Sequence, residues 1–537
     1  MERACDLLFG VSIYAEPNKS GIIDLACSAM NELSKIAVAG EPLWQPQKEN
    51  RYETLNDIEY LRQFGQVDTT LREIMKLIEV EPQHLPSFGS YQTEHPTSNA
   101  PPRETLQIEA SRDMAYINTS PINIVEFLMD VNQWSGAFYN IVSRTTILGT
   151  FSDGEEGTYD GKVHVMNAEL HLPTPLVPTR ECYFARYCKQ LSHENWVVVD
   201  VSLEKFFPSP STNFRRRPSG CLITGMPNGY SKVIWVEHVE ADHSQLNNHF
   251  QHLVTSGLAF GATRWLASII RHSEWLETLN ATTLFADDGV HIPQAGRTSF
   301  LNLAYRMMRS FCADISASTC NPWKQLRGPF PDSTDVRVIL KNNMEDAAAA
   351  KPRGTTVVFA TSLRLEVPPN RLFNFLRREN SRSKWDLLSR ELSIREFAYM
   401  TKGKNPGNRV SLMRANTSED KIEIFYLQES CTDSTGSYVI YAPLDGFALS
   451  ELANGCNPDN VIVLPSGFAI LPAEGLQGED SGTESLLTVA FHIMENSTSR
   501  PIPPESIETI HKIITETVTS IKDAVQYHNL LNNWIED

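Results

Sequence analysis

Two stretches of this chain follow one plan. Ser120-Pro121-Ile122-Asn123-Ile124-Val125-Glu126-Phe127-Leu128 is followed by Trp134. About 250 residues later, Pro368-Pro369-Asn370-Arg371-Leu372-Phe373-Asn374-Phe375-Leu376 is followed by Trp385. Pro121 and Pro369 stand in register, each six residues before its Phe-Leu pair. A strand-like run precedes each copy, and a long amphipathic helix follows each much later. That order implies one architecture used twice. It points to a sheet gripping a helix around a cavity, which is a container more than a catalyst.

With 537 residues, the chain should hold roughly two to four domains. The net charge of −18 comes from 65 acidic against 47 basic side chains. Such a chain repels nucleic-acid phosphate unless it carries a separate basic module. The densest basic points, Arg215-Arg216-Arg217 and the region 377–384, are too short for one. Adhesion to anionic membranes is disfavoured for the same reason. The nine cysteines are scattered without a CxxC spacing, which reads as free thiols in a reducing compartment. No run approaches the ~18 apolar residues that span a bilayer. The N-terminal residues, with Glu2, Arg3 and Asp6 beside a short apolar patch, are not expected to act as a secretory leader.

Residues 21–37 have helical spacing, and 56–79 form a second helical tract. The Pro-, Ser- and Thr-rich stretch 80–103 reads as a loop. A strand over 104–113 precedes a helix over 121–132. Strands follow over 143–149, 162–171, 181–190, 195–203, 220–226 and 230–240. Asn228-Gly229 is a hairpin turn, because both positions tolerate φ > 0. One long helix is expected over 244–279, and another over 298–315. The second unit begins with a strand over 355–366. It continues with strands over 409–416, 421–429, 437–442, 459–463 and 486–494. A helix over 504–528 closes it, and Pro504 suits its first turn. Runs of antiparallel strands bounded by helices make the fold class α+β. A curved sheet around a long C-terminal helix leaves room for an apolar pocket.

Leu176-Val177-Pro178-Thr179-Arg180-Glu181-Cys182-Tyr183-Phe184-Ala185-Arg186-Tyr187 resembles a motif at the start of a strand in START lipid-binding domains. Pro218–Ile223, Pro227–Val233, Ser256–Ala262 and Val131-Asn132-Gln133-Trp134 narrow the resemblance to plant class IV homeodomain–leucine zipper (HD-Zip IV) transcription factors. Glu379–Arg382, Leu427–Thr432, Gly436–Pro443 and Leu464–Pro472 resemble that family's START-associated C-terminal region. The resemblance covers 16–528. It implies two tandem helix-grip units: a START domain over 16–280, a helical junction over 281–330 and a second domain over 331–528, with tails at 1–15 and 529–537. The family's homeodomain and zipper have no counterpart in these residues, so direct DNA binding is not expected of this chain.

The residues singled out for the ligand are Trp134, Arg180, Glu181, Tyr183, Trp235, Glu237, Phe250, Val254, Gly257, Gly261 and Trp265. Arg180 and Glu181 are adjacent and lie on opposite strand faces. One of them either meets the ligand or forms a buried ion pair, unless both are surface charges. Trp235 and Glu237 share a face, and Ile234, Val236 and His238 share the other; alternation does not say which faces the cavity. Gly257 and Gly261 fall on one side of the expected helix, where a ligand or a strand could approach.

His238, His243, His249 and His252 lack metal-ligand spacing and read as solvated polar residues. Cys182 and Cys188 read as small core residues, and Arg215–Arg217 as a solvated loop. No catalytic motif appears, so an enzyme is not expected, nor a metal or other cofactor. The resemblance implies a bound phospholipid or sterol, transcriptional regulation in the nucleus or cytoplasm, and protein partners such as full-length family members. The competing reading is a soluble lipid carrier.

Overall fold

The computed structural model describes residues 16–46, 53–64, 106–204, 206, 213–281, 292–326, 335–342, 354–416, 423–473, 483–495 and 504–532. The expected helical residues 65–79 and the loop 80–103 lie outside these.

The first unit opens with α1 (Lys19–Val38), β1 (Trp44–Pro46), β2 (Glu53–Leu55), α2 (Asp57–Phe64) and β3 (Gln107–Ile117). Two short helices follow, α3 (Pro121–Met129) and α4 (Val131–Ala137). Pro121 sits in the first turn of α3, where its missing N–H costs nothing. Asp130 then caps α4, its carboxylate accepting from the backbone N–H groups of Asn132 at 2.9 Å and Gln133 at 2.8 Å. The meander continues through β4 (Val142–Asp153), β5 (Lys162–Leu170), β6 (Arg180–Ser192) and β7 (Asn195–Ser202). It ends with β8 (Phe214–Arg216), β9 (Ser219–Gly225) and β10 (Ser231–Ala241). The Asn228-Gly229 turn joins β9 to β10, with Gly229 at φ 81°. Two helices, α5 (Asn248–Thr255) and α6 (Ala262–Asn280), complete the unit.

The second unit repeats the plan. It runs α7 (Gln294–Ile315), β11 (Lys324–Leu326), β12 (Val336–Asn342), β13 (Thr355–Leu365), α8 (Pro369–Arg377) and α9 (Glu379–Trp385). Then come β14 (Ser393–Thr401), β15 (Arg409–Asn416), β16 (Glu423–Asp433), β17 (Gly436–Leu444) and α10 (Gly446–Ala453). Finally there are β18 (Ser466–Pro472), β19 (Ser485–Glu495) and α11 (Pro504–Asn532).

The two sheets have matching strand orders. The first is β1-β2-β3-β10-β9-β7-β6-β5-β4, with β8 attached to β10; the second is β11-β12-β13-β19-β18-β17-β16-β15-β14. Neighbouring strands pair antiparallel, so both units are α+β helix grips. The duplication reaches further than the proline segments. Each sheet starts from a helix and two short strands, and that helix covers the sheet's outer face.

In the first unit Ile22, Leu33 and Ile36 of α1 pack on Val163, Val197 and Val199. In the second, Phe300, Leu303 and Met307 of α7 pack on Leu412, Leu427 and Ile440. The opposite face of the second sheet is covered by Ile510, Ile514 and Val518 of α11. Alternating apolar positions on each strand supply both faces, which explains the near-continuous hydrophobic runs.

Two expectations are corrected. The apolar spacing over 244–279 does not make one helix. Gly257 at φ 78° ends α5, and α6 starts afresh after Gly261. The two glycines therefore do not share a helix face. A Cβ on Gly261 would lie 2.1 Å from the Gly257 carbonyl and 2.7 Å from Ser111 Oγ, so the crowding there is protein on protein. The apolar run 459–463 is not a strand either. The strand is Ser466–Pro472, whose seven residues are all buried between β17 and β19.

The units are joined through a closely packed interface. Arg264 of α6 donates to the Thr435 carbonyl at 3.3 Å and shares a 3.2 Å contact with Tyr438 Oη. Arg271 pairs with Asp433 at 2.8 Å. From the first sheet, Glu169 accepts from Ser318 Oγ at 2.7 Å and the Thr319 N–H at 3.0 Å. Among the described residues no helix is long and apolar enough to cross a membrane.

Candidate ligand-binding site

Six of the eleven residues singled out from sequence meet in the space between the first sheet and its closing helices. Trp134, Trp235, Phe250, Val254 and Trp265 belong to one buried cluster, and Glu237 is 4% exposed beside it. Trp265 stacks on Trp235 with ring centroids 5.3 Å apart and on Trp134 at 6.1 Å. Phe138 packs edge-on against Trp265 at 4.7 Å. The inward face of β10 is therefore that of Trp235 and Glu237. Val236 packs outward beneath α1, and His238 outward against Tyr60, at a ring separation of 4.6 Å.

Charges thread this aromatic interior, and each is matched. Arg186 grips Asp200 with two 2.8 Å hydrogen bonds and reaches the Leu128 carbonyl at 2.7 Å. Arg216 bridges Asp200 at 3.0 Å and Glu237 at 2.9 Å, while Trp235 Nε1 donates to Glu237 at 2.9 Å. Burial raises the Glu237 carboxyl above its usual range, and Arg216 and Trp235 only partly counter it. Two donors in this interior lack a partner, Trp134 Nε1 and Arg216 Nε. Burial pushes the Cys182 thiol up to about 12, so it stays protonated.

Arg180 forms a buried ion pair. It donates to Glu109 at 2.9 Å, and His243 Nε2 approaches the same carboxylate at 2.6 Å. Burial would raise Glu109, but Arg180 and the His243 hydrogen bond override it and hold the carboxyl below its usual value. Arg180 also lies 4.1 Å above the Phe260 ring, in the turn between α5 and α6. Glu181 is half-buried on the other face of β6, and Tyr183 packs half-buried in the outer cluster beneath α1. Gly257 and Gly261 shape the turn.

The reading of four solvated histidines is corrected for two of them. His238 is buried and His243 is half-buried with its side chain turned in toward Glu109, while His249 and His252 are exposed. Arg215–Arg217 is also no solvated loop: Arg216, on β8, is 2% exposed and is the hub of the interior network. Arg186 and Asp200 were passed over in the sequence. Asp200 is the lone charge in an otherwise apolar β7, Arg186 stands among the buried apolar residues at the centre of β6, and the two are register partners. An isolated charge of each sign in neighbouring buried strands is the available signal for such a pair.

Beside this interior runs a groove of about 710 Å³ between α3 and the C-terminal half of α6. Ile124, Phe127, Ile269 and Leu276 give it an apolar floor, and Asn118, Glu126 and Glu277 a polar rim. Asn118 Nδ2 donates to Glu277 at 2.8 Å, and the Thr119 and Ser273 hydroxyls lie 3.3 Å apart. These contacts tie the loop before α3 to α6. Phe127 separates groove from interior, because its ring packs on Phe138 at 5.7 Å. The groove is lined by residues other than the eleven. Among the described residues no group of three or more His, Cys, Asp or Glu side chains is arranged to hold a metal.

Two fused helix grips, the first with a groove beside its closing helix, define a START-type architecture. The START domain model matches residues 81–274, and the model described as PDF2-like, C-terminal domain matches 293–527. The chain is 37% identical over 520 residues to the Arabidopsis thaliana homeobox-leucine zipper protein ANTHOCYANINLESS 2, covering 95% of this chain and 60% of that protein. It is 35% identical to the homeobox-leucine zipper protein ROC8 of Oryza sativa subsp. japonica, covering 94% of this chain and 70% of that protein. The chain belongs to the class IV homeodomain–leucine zipper family, a regulatory family built around a START lipid-binding domain. It spans about 60% of the length of ANTHOCYANINLESS 2. Human StAR-related lipid transfer protein 5 aligns with 44% of this chain and 98% of its own, at 15% identity and a TM-score of 0.25.

Proposed function

We propose that the first unit binds a hydrophobic small molecule, a phospholipid or sterol, and that the chain thereby regulates transcription in the nucleus through protein partners. The observation that carries this reading is the groove between α3 and α6, with its apolar floor and polar rim. An amphipathic ligand matches that arrangement, its apolar body against Ile124, Phe127, Ile269 and Leu276 and its polar end at the rim. Six of the eleven residues read from sequence, Trp134, Trp235, Glu237, Phe250, Val254 and Trp265, stand behind Phe127, whose movement would admit a ligand tail toward the tryptophans. Full-length relatives are the protein partners this reading favours.

A ligand that binds only the folded chain stabilises it, by about 2.7 kcal/mol at a hundred times its dissociation constant. Native mass spectrometry of the purified chain tests the proposal directly. Co-purifying lipid is expected, and it should be lost in Leu276→Asp, which places a charge on the apolar floor. A chain that carries no lipid, and whose Tm neither phosphatidylcholine nor sterol raises, would sink the reading.

A further inference from the structure

A second cleft, of about 640 Å³, lies between β4 of the first unit and α7 of the second. Its chemistry is opposite to that of the whole chain. Three guanidinium groups line it, those of Arg144, Arg306 and Arg309, although the chain carries a net charge of −18. Arg306 and Arg309 are three residues apart on α7, so they lie side by side and repel.

Two of the three cations are compensated. Arg144 pairs with Glu169 at 3.0 Å and donates to Thr319 at 2.8 Å. Arg306 reaches the Val461 carbonyl and faces the exposed Asp459 at 3.5 Å. Arg309 has no carboxylate within ion-pair distance among the described residues; its guanidinium lies 6.0 Å from the Tyr305 ring. The acidic side chain on the lining, Asp314, is already held by Lys341 and, at 3.2 Å, by His492. Thr145 also lines the cleft, and its hydroxyl is buried without a hydrogen-bond partner. An uncompensated guanidinium thus opens onto this concave space, and an unsatisfied hydroxyl lies enclosed in its wall.

We infer that this cleft binds the phosphate group of a small phosphorylated molecule, with Arg309 as the principal contact and Thr145 as a second. Guanidinium forks match phosphate oxygens in charge and in planar hydrogen-bond geometry. The volume falls in the range of small-molecule sites. Both units supply walls, so the site exists only when they are docked. It is independent of the groove between α3 and α6, on which none of these residues lies.

Calorimetric titration of the full chain with glycerol 3-phosphate tests the inference. Binding is expected, weakening as sodium chloride is raised. Arg309→Ala should weaken it about tenfold or more, the loss of one charge-assisted contact. Arg309→Lys should retain part of the affinity, and Thr145→Val should reduce it less than Arg309→Ala. Arg62→Ala, on the distant α2, should leave it unchanged. Arg309 is exposed, so its variants should keep the wild-type Tm.

Flotation with phosphatidylcholine vesicles, with and without phosphatidic acid, separates the sources. Flotation that needs both phosphatidic acid and Arg309 supports the inference and assigns a lipid headgroup. Titration binding without flotation supports it and assigns a free molecule. Equal affinity in wild type and Arg309→Ala, or no binding in either assay, overturns it.

Discussion

Trp275 of α6 and Tyr305 of α7 stack with ring centroids 4.3 Å apart and planes inclined by 17°. This pair joins the last helix of the first unit to the first helix of the second. Tyr305 also donates its hydroxyl to the Gly136 carbonyl at 2.6 Å, and His272 stacks on Trp275 at 5.6 Å. A double-mutant cycle over Trp275→Ala and Tyr305→Ala should show a coupling of about 0.5–1.5 kcal/mol in denaturant unfolding, as expected for a packed aromatic pair. Strictly additive losses would mean that the rings touch without stabilising the junction.

The ion pair between Arg180 and Glu109 should matter more than any surface charge. Glu109→Gln leaves a guanidinium buried without its carboxylate, and such a loss costs about 3–5 kcal/mol. The pH dependence has a definite sign. The folded carboxyl lies below its unfolded value of 4.5, so its contribution is complete above pH 4.5 and disappears as pH falls through the folded pKa. Wild type should therefore lose part of its margin over Glu109→Gln below pH 4.5. A constant margin from neutral to strongly acid pH would contradict the assignment.

Buried histidines add a second acid sensitivity, in a higher window. Burial holds His171 and His272 at about 4, and burial with the nearby Arg217 charge holds His238 at about 3. The unfolded chain takes up these protons near pH 6.5 and the folded chain does not. Stability is thus complete above pH 6.5 and falls as pH drops toward 4, by about 1.4 kcal/mol per pH unit for each histidine. His238 is the clearest to test, because burial and the Arg217 charge hold it lowest of the three. His238→Phe should flatten the fall of Tm between pH 6.5 and 4. An unchanged slope would show that His238 is not held neutral.

The sequence made the duplicated α+β plan legible because its signals are local. Proline at the start of α3 and α8, Asn228-Gly229 between β9 and β10, and alternating apolar residues all act over a few positions. The failures share one physical reason. The i, i+3 apolar spacing runs through 256–261, yet the chain turns there, through the positive φ of Gly257 and the crowding around Gly261. Asp200 and Arg216 look like ordinary polar residues until β6, β7 and β8 bring them beside Arg186. The run at 459–463 has strand composition, yet β17 pairs with Ser466–Pro472 instead. The groove was not legible either, since Leu276 and Glu277 meet Asn118 and Phe127 only in three dimensions.

The turn between α5 and α6 offers a test that separates backbone strain from crowding. At Gly257 a Cβ would meet nothing within 4 Å, but φ is 78°. Gly257→Ala should therefore cost only the left-handed penalty, about 1–2 kcal/mol. At Gly261 the backbone is extended in the sense open to any residue, with φ −79°. There the obstacle is contact, because the new methyl would collide with the Gly257 carbonyl and with Ser111 Oγ. That hydroxyl also accepts from the Ala262 N–H at 3.0 Å, so displacing it unsatisfies the first turn of α6. Gly261→Ala should be the more destabilising of the two, and Ser111→Ala should restore only the small part of the loss that the hydroxyl causes, because the clash with the Gly257 carbonyl remains. Equal melting temperatures for the two alanine variants would mean that the approach of α6 to β3 is looser than its geometry implies. A close approach instead leaves little freedom in where α6, the wall of the ligand groove, can stand.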